Sequence, residues 1–558
     1  MMVAQISPPG NSHKSNTTFQ TSKNCQMKYI LTVYLAFFLT GGFWLVIHAG
    51  EATTNQPPLP YRIVSFHQGK ANIELIKLAK EAGYNGVQIQ TEYGTLKPLQ
   101  EFAEYNQRTQ LIENCHKLGM EVSIWVHELN DIPKQFLLKP GTGKLKPGEI
   151  LSNYGFTGDD RIVLNLNDPK LWALLDERYE HILKDLIPDV DALVLTVTET
   201  QVPATNPELF KRLVQLLDDK CRKYGKKLQV RTFVWHLNDL SNLMPTIKEL
   251  PEDVIIMSKC VPQDWHLRSI NGLELGRVGS HEQIEEWDVE GEYFGLNKLV
   301  NCMPELLQRQ FAYGMSQGIK GVCVRVDRGN QSVLHQPSEV NMWALGLLAS
   351  GEVSTVNEVW KTWAIHRYGD KAGPAIIPAL IHSTDVVQET LYIDNFSFFD
   401  TRNPPGPADE IDAFQHLANP QLWSDKYKSL HDRLVMGDPA EIAQVESNKL
   451  VALEMASNSV VALERTRLLL EPSDYVQLQR GLLANQVQLE WRAPMHLAYL
   501  RHRLLVNTNN SLKREELTAA IRKDLEDMRS AVKNADPTVA SDGDQALKWA
   551  DEMELLLR

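Results

Sequence analysis

The chain has little cysteine and no pattern in what it has. Six cysteines are spread over 558 residues, with no C-x-x-C pair and no His/Cys spacing of a metal site. Cys25 precedes an apolar run. The other five (Cys115, Cys221, Cys260, Cys302 and Cys323) are odd in number, widely spaced and mostly set in apolar segments. They read as buried thiols, so a disulfide framework does not hold the fold together. No basic tract is present and the net charge is −13, which argues against nonspecific binding to nucleic acid. A glycine-rich first turn is also missing, which weighs against an open doubly wound sheet. No internal repeat occurs. What remains, 43% apolar and 23% charged, is the composition of a globular protein too long for one ordinary domain.

The amino terminus stands apart from that composition. After Lys14, Lys23 and Lys28 comes YILTVYLAFFLTGGFWLVIHA, closing on the small residues Ala49 and Gly50. Residues 1–50 read as a secretory signal peptide, with Met27 as an alternative start, and 51–60 as a linker rich in Pro and Thr. The expectation is a secreted or periplasmic protein. The run is long enough that an uncleaved membrane anchor is the lesser alternative.

From residue 61 onward, β-type runs alternate with helical patterns. The runs are YRIVSF (61–66), GVQIQ (86–90), EVSIWV (121–126), ALVLTV (192–197), LQVRTFVW (228–235) and VIIMSK (254–259). A more polar run through Trp287 to Glu292 and GVCVRV (321–326) complete eight. Between them lie segments such as PELFKRLVQLLDDKCRKYG, apolar at helical spacing. Eight units with strands too apolar for one-sided burial predict a (β/α)8 TIM barrel over 61–372. The insertion 130–168 suits a loop over the carboxyl end of the barrel. Past Gly369 the pattern is almost wholly helical, predicting an all-α domain over 373–558 without a chemical motif. Its apolar faces are core material first and a homodimer surface second.

Residues just past the strands of such a barrel face its catalytic mouth. Glu199 ends the fourth strand and Asp264 follows the sixth, while Asp288, Glu290 and Glu292 alternate along the seventh. Residues two apart share a face, so parity does not choose among those three. Carboxylates facing each other across about 6.5–9.5 Å are what an inverting glycosidase requires, one as acid and the other to activate water. Arg231 and Lys259 place charge in otherwise apolar strands, which is costly unless paired. Two readings stand open: they neutralise the barrel acids, or they grip a substrate carboxylate. Trp125, Trp235 and Trp265 suit stacking on sugar rings or core packing equally. His67, Gln68, Gln90, Glu92, His127, Glu128, His236, Arg325 and Asp327 also end strands. His127 and Glu128 are adjacent on a strand and point to opposite faces, a poor geometry for one metal ion.

Four stretches carry a family resemblance. KCVPQDW (259–265) resembles the Lys-x-x-Pro-x-Asp-aromatic stretch of glycoside hydrolase family 67, the α-glucuronidases. EWDVEGEYFG (286–295) is similar to that family's Glu-aromatic-x-x-x-x-Glu-Tyr-x-Gly, and VRTFVW (230–235) to its fifth strand. The segment 341–369 resembles the part that follows the family's barrel. The resemblance implies that Asp264 and Glu292 jointly activate water and that Glu199 is the general acid. It implies that Arg231 and Lys259 bind the uronate carboxylate; Trp265, Tyr293, His127 and Trp235, by their places at or just past strand ends, are further candidate substrate contacts, and no cofactor is expected. Two departures stand out: the family's strand-four lysine is Leu195 here, and its amino-terminal β-domain has no counterpart. The expected substrate is a plant or algal oligosaccharide bearing a uronic acid, such as a xylan fragment. The alternatives are a metal-dependent sugar isomerase or epimerase, and a uronate-binding barrel without turnover.

Overall fold

The structure is a computed structural model. It describes residues 57–67, 71–90, 105–128, 167–197, 206–234, 237–261, 272–292, 298–328, 331–394, 425–536 and 542–558, with short pieces at 137–138, 149–152 and 162–165 and a few single residues between. The amino-terminal signal and anchor expectations lie outside the described residues. Among those residues, no helix is long and apolar enough to cross a membrane.

Eight parallel strands close into a barrel: β1 (Tyr61–Phe66), β2 (Gly86–Gln90), β3 (Glu121–Glu128), β4 (Ala192–Val197), β5 (Lys227–Thr232), β6 (Ile255–Lys259), β7 (Gln283–Asp288) and β8 (Gly321–Arg325). Each pairs with its neighbours in sequence, and β8 returns to β1 with Ser65 opposite Arg325. Strand residues alternate between two cores. Ile63, Val194, Ile255, Met257, Ile284 and Cys323 fill the inside, while Val64, Leu195, Val230, Ile256, Trp287 and Val324 join the shell beneath the helices. Burial of both faces is why these strands read as apolar runs.

The helices of the outer layer are α1 (Ile73–Glu81), α2 (Tyr105–Lys117), α3 (Pro169–His181), α4 (Pro207–Lys223), α5 (Leu237–Ile247), α6 (Pro304–Ser316) and α7 (Val340–Ser350). Their ends follow local chemistry. Asn72 accepts from the N–H groups of Glu74 and Leu75 to start α1, and Pro207 occupies the first turn of α4. Between β6 and β7 the described residues 272–280 form turns rather than a helix. Within the 130–168 insertion, three short strands form an antiparallel sheet. Gly346 lets α7 lie directly on the α1–β2 turn. A Cβ there would stand 2.1 Å from the Ala82 carbonyl oxygen and 2.6 Å from the Tyr84 ring.

Beyond the barrel the chain is helical: α8 (Val356–Leu380), α9 (Ser383–Leu391), α10 (Asp425–Met436), α11 (Pro439–Thr466), α12 (Pro472–Asn507), α13 (Ser511–Asn534) and α14 (Gly543–Leu556). A capping box between Thr355 and Glu358 opens α8, which kinks at Gly369 (φ 81°). The barrel's outer core continues into these helices as far as Leu482, and a second core gathers around Trp491, Met495 and Trp549. The fold is thus a (β/α)8 barrel followed by a run of α-helices.

Candidate active site

Apolar residues fill the lower barrel interior, and charge fills the layer above them. Arg231 in β5 reaches across β6 to Glu286 in β7. Its Nε donates to Oε2 at 2.6 Å and its Nη2 to Oε1 at 2.8 Å. Lys259 donates to Asp288 Oδ2 at 2.5 Å, and Arg325 Nη1 donates to the same oxygen at 2.8 Å. Lys259 also stands 4.0 Å from Glu286, and Arg325 4.0 Å from Glu290. All these side chains are buried. Aromatic rings bracket the cations. The Arg231 guanidinium lies 5.0 Å from the Trp125 ring and 5.4 Å from that of Phe233, with Lys259 5.1 Å from Phe233.

The seventh strand is shorter than its sequence pattern. β7 ends at Asp288, and Gly291, with φ at 80°, turns the chain between Glu290 and Glu292. One carboxylate oxygen from each of Asp288, Glu290 and Glu292 lies within 4.8 Å of the other two. Glu292 also ion-pairs with the half-exposed Arg328 at 2.8 Å. Among the described residues, these three acids are the set that offers ligand atoms for a metal ion. Buried cations beside two of them, Lys259 and Arg325, already supply positive charge there.

These contacts split the acids by their readiness to ionise. Burial alone would raise the Glu286 carboxyl, but the charge and forked bonds of Arg231, with Lys259 nearby, hold it below the usual carboxylate range. Glu292 goes the other way. Burial raises it, Arg328 opposes that, and the Asp288 charge raises it further. His127 is held near pKa 4, first by burial and then by the Arg231 charge, so its imidazole is neutral at neutral pH.

The structure therefore brings together Arg231, Lys259, Glu292 and His127 of the expected site. Glu199, Trp235, Asp264, Trp265 and Tyr293 lie outside the described residues. Arg231 and Lys259 are each bonded to an internal carboxylate. Leu195 belongs to the outer shell, so its position offers the interior no contact. His127 faces inward, whereas Glu128 points outward and accepts a hydrogen bond from Tyr179. Asp327 accepts from the His67 backbone N–H at 2.6 Å, tying β1 to the end of β8.

Two features were not read from the sequence. Arg325 is the third buried cation of the layer, where sequence placed it only at a strand end. Behind β5–β7, on the helix side, Glu274 accepts from Thr232 and from Ser258 (2.8 Å), and Gln283 donates to Ser258 at 2.8 Å. Burial pushes Glu274 up to about 7. A glutamate inside the turns between β6 and β7 carries no sequence signal for this role.

No family model and no curated protein matches the chain. Among solved structures it is similar to an enzyme of glycoside hydrolase family 138 that targets pectin rhamnogalacturonan II. That match has a TM-score of 0.58 at 12% identity and covers 88% of this chain and 63% of that one. This chain thus spans less than two thirds of that enzyme's length. Weaker likenesses are to a variant O-GlcNAc hydrolase of Thermobaculum terrenum (TM-score 0.43, 11% identity, 89% of this chain and 96% of that one) and to a family 30 endoxylanase of Clostridium papyrosolvens (TM-score 0.36, 11% identity, 53% and 73%). At 12% identity the likeness is one of fold, and the fold is a glycoside-hydrolase-like (β/α)8 barrel with a helical region after it.

Proposed function

We propose that this chain is an exported glycoside hydrolase that releases a uronic acid from an oligosaccharide, inverting the anomeric centre in the manner of the α-glucuronidases. One observation carries the reading. The carboxyl end of β7 delivers Asp288, Glu290 and Glu292 to one point, against a layer of three buried cations. Among the described residues those three cations face three carboxylates, Glu286, Asp288 and Glu290, so the layer gathers charge of both signs at the barrel mouth. Burial raises the Glu292 carboxyl, and the Arg328 charge opposes that rise, favouring the ionised form that water activation needs. Asp264 as its partner in activating water and Glu199 as general acid rest on the resemblance of their motifs.

The test is incubation with aldouronic oligosaccharides and with α-glucuronides and α-galacturonides, with the first-formed anomer followed by proton NMR. Release of the β-uronic acid supports substrate class and inversion together. Release of the α-anomer keeps the hydrolase and removes inversion. No release from any α-uronoside defeats the assignment. A metal-dependent sugar isomerase or epimerase is the second reading, favoured by the proximity of Asp288, Glu290 and Glu292. Loss of ketose–aldose or epimer interconversion on adding a chelator would establish it in place of hydrolysis.

A further inference from the structure

Two buried polar atoms at the barrel mouth lack a partner, and they stand side by side. Neither His127 Nε2 nor Thr196 Oγ1 has a hydrogen-bond partner among the described residues. β3 and β4 pair with His127 opposite Thr196, and β4 and β5 pair with Thr196 opposite Arg231. Alternation fixes their direction. Val126, Leu195 and Val197 join the outer shell and Val194 the inner core, so His127 and Thr196 face the interior. Thr196 is 2% exposed.

A buried polar group left unbonded costs roughly 1–3 kcal/mol, so two on adjacent strands need a reason. Their chemistry is specific. A neutral imidazole offers one donor and one acceptor nitrogen, and a threonine hydroxyl both donates and accepts. Neither carries charge, because burial and the neighbouring Arg231 keep His127 unprotonated. Neither group brings a charge to offset that of a carboxylate or phosphate. A hydroxyl, which also donates and accepts, is the matching group. The Trp125 ring, 6.2 Å from that of His127, supplies an apolar wall alongside.

We infer that His127 and Thr196 form an uncharged subsite, distinct from the ion pairs, that takes a ring hydroxyl of the sugar. This deepens the reading of the chain as a sugar-acting barrel and rests on it. Thr196→Val removes the hydroxyl at nearly constant volume, and Thr196→Ser restores it.

The experiment is an NMR titration of the full-length protein with glucuronic acid, galacturonic acid and glucose, and with the 2-, 3- and 4-deoxy derivatives of whichever binds. Thr196→Val should weaken the parent sugar about tenfold. Thr196→Ser should recover most of that. One deoxy derivative should bind wild type as weakly as the parent binds the valine variant, and should lose no further affinity in that variant. Equal losses for the parent and every deoxy derivative, no loss for the parent, or no sugar binding to wild type would each overturn the subsite. Hydrolysis is assayed on the same proteins. Binding with this pattern but without turnover removes the hydrolase reading and leaves the subsite standing.

Discussion

Arg231 and Glu286 meet inside the barrel as a forked ion pair, although their strands are separated by a third. The geometry is two parallel N–H to oxygen bonds in a buried layer, the strongest arrangement open to these side chains. Removing one partner leaves the other charge buried and uncompensated. Glu286→Leu is therefore expected to cost about 3–5 kcal/mol, whereas the double variant Arg231→Met with Glu286→Leu should recover most of it. Urea unfolding of the three proteins checks this. A double variant no more stable than the single one would show that the pair does more than balance charge.

Glu285, one residue earlier, faces the other way and should shape how stability changes between about pH 4.5 and 8. It is fully buried, and burial pushes its carboxyl up to about 8, with the neighbouring Cys260 thiol pulling back. The folded state keeps this proton up to about pH 8, while the unfolded chain gives it up near the ordinary carboxylate value. Stability is thus full below about pH 4.5 and falls as pH rises toward 8, by up to roughly 5 kcal/mol from this group. Glu285→Gln should flatten that fall. Denaturant midpoints at pH 5, 7 and 9 measure it, and an unchanged slope in the variant would exclude Glu285 as its source.

What the sequence made legible follows from which signals survive without neighbours. Strand apolarity is local, so all eight strands fall close to where the pattern puts them. β7 stops at Asp288 rather than Glu292 because Gly291 takes a positive φ, which a Gly in a polar run does not announce. Charge in an apolar strand is equally visible, and it marked Arg231 and Lys259. Their partners are fixed by barrel closure and register, which bring β5 opposite β7 and β7 opposite β8. That is why Asp288 as the shared counter-ion of Lys259 and Arg325 emerges only from the structure. Thr196 carried no signal at all, because its meaning lies in a missing bond.

Arg328 should set the acidic limb of activity. It is half-exposed and pairs with the buried Glu292, opposing the rise that burial imposes on that carboxyl. Solvent screens such a pair, so its contribution to folding is small. If Glu292 activates water it must be ionised. Arg328→Gln then raises the pH at which the acidic limb of kcat/KM falls, with little change in thermal stability. A pH–rate profile of the two proteins decides it. An unmoved acidic limb would remove Glu292 from the base role.

Among the described residues, a phenol of the helical region bonds the segment that follows Asp264, the proposed base, in the chain. Tyr392, fully buried just past α9, accepts a hydrogen bond at its hydroxyl from the Leu267 backbone N–H at 3.0 Å. Leu267 follows Asp264 by three positions in the chain. Lys449, buried in α11, bonds the Tyr392 carbonyl oxygen and Glu389, so the tyrosine is itself anchored from behind. A one-bond loss of about 1 kcal/mol is small beside the stability of the fold, but misplacing a catalytic group by about 1 Å is worth up to about 100-fold in rate. Tyr392→Phe is therefore expected to lower kcat about tenfold or more while KM and the melting temperature change little. Steady-state kinetics with a uronoside substrate, alongside a melting curve, test this. A fall in melting temperature with kcat intact would make Tyr392 a packing residue and leave the helices without a part in positioning Asp264.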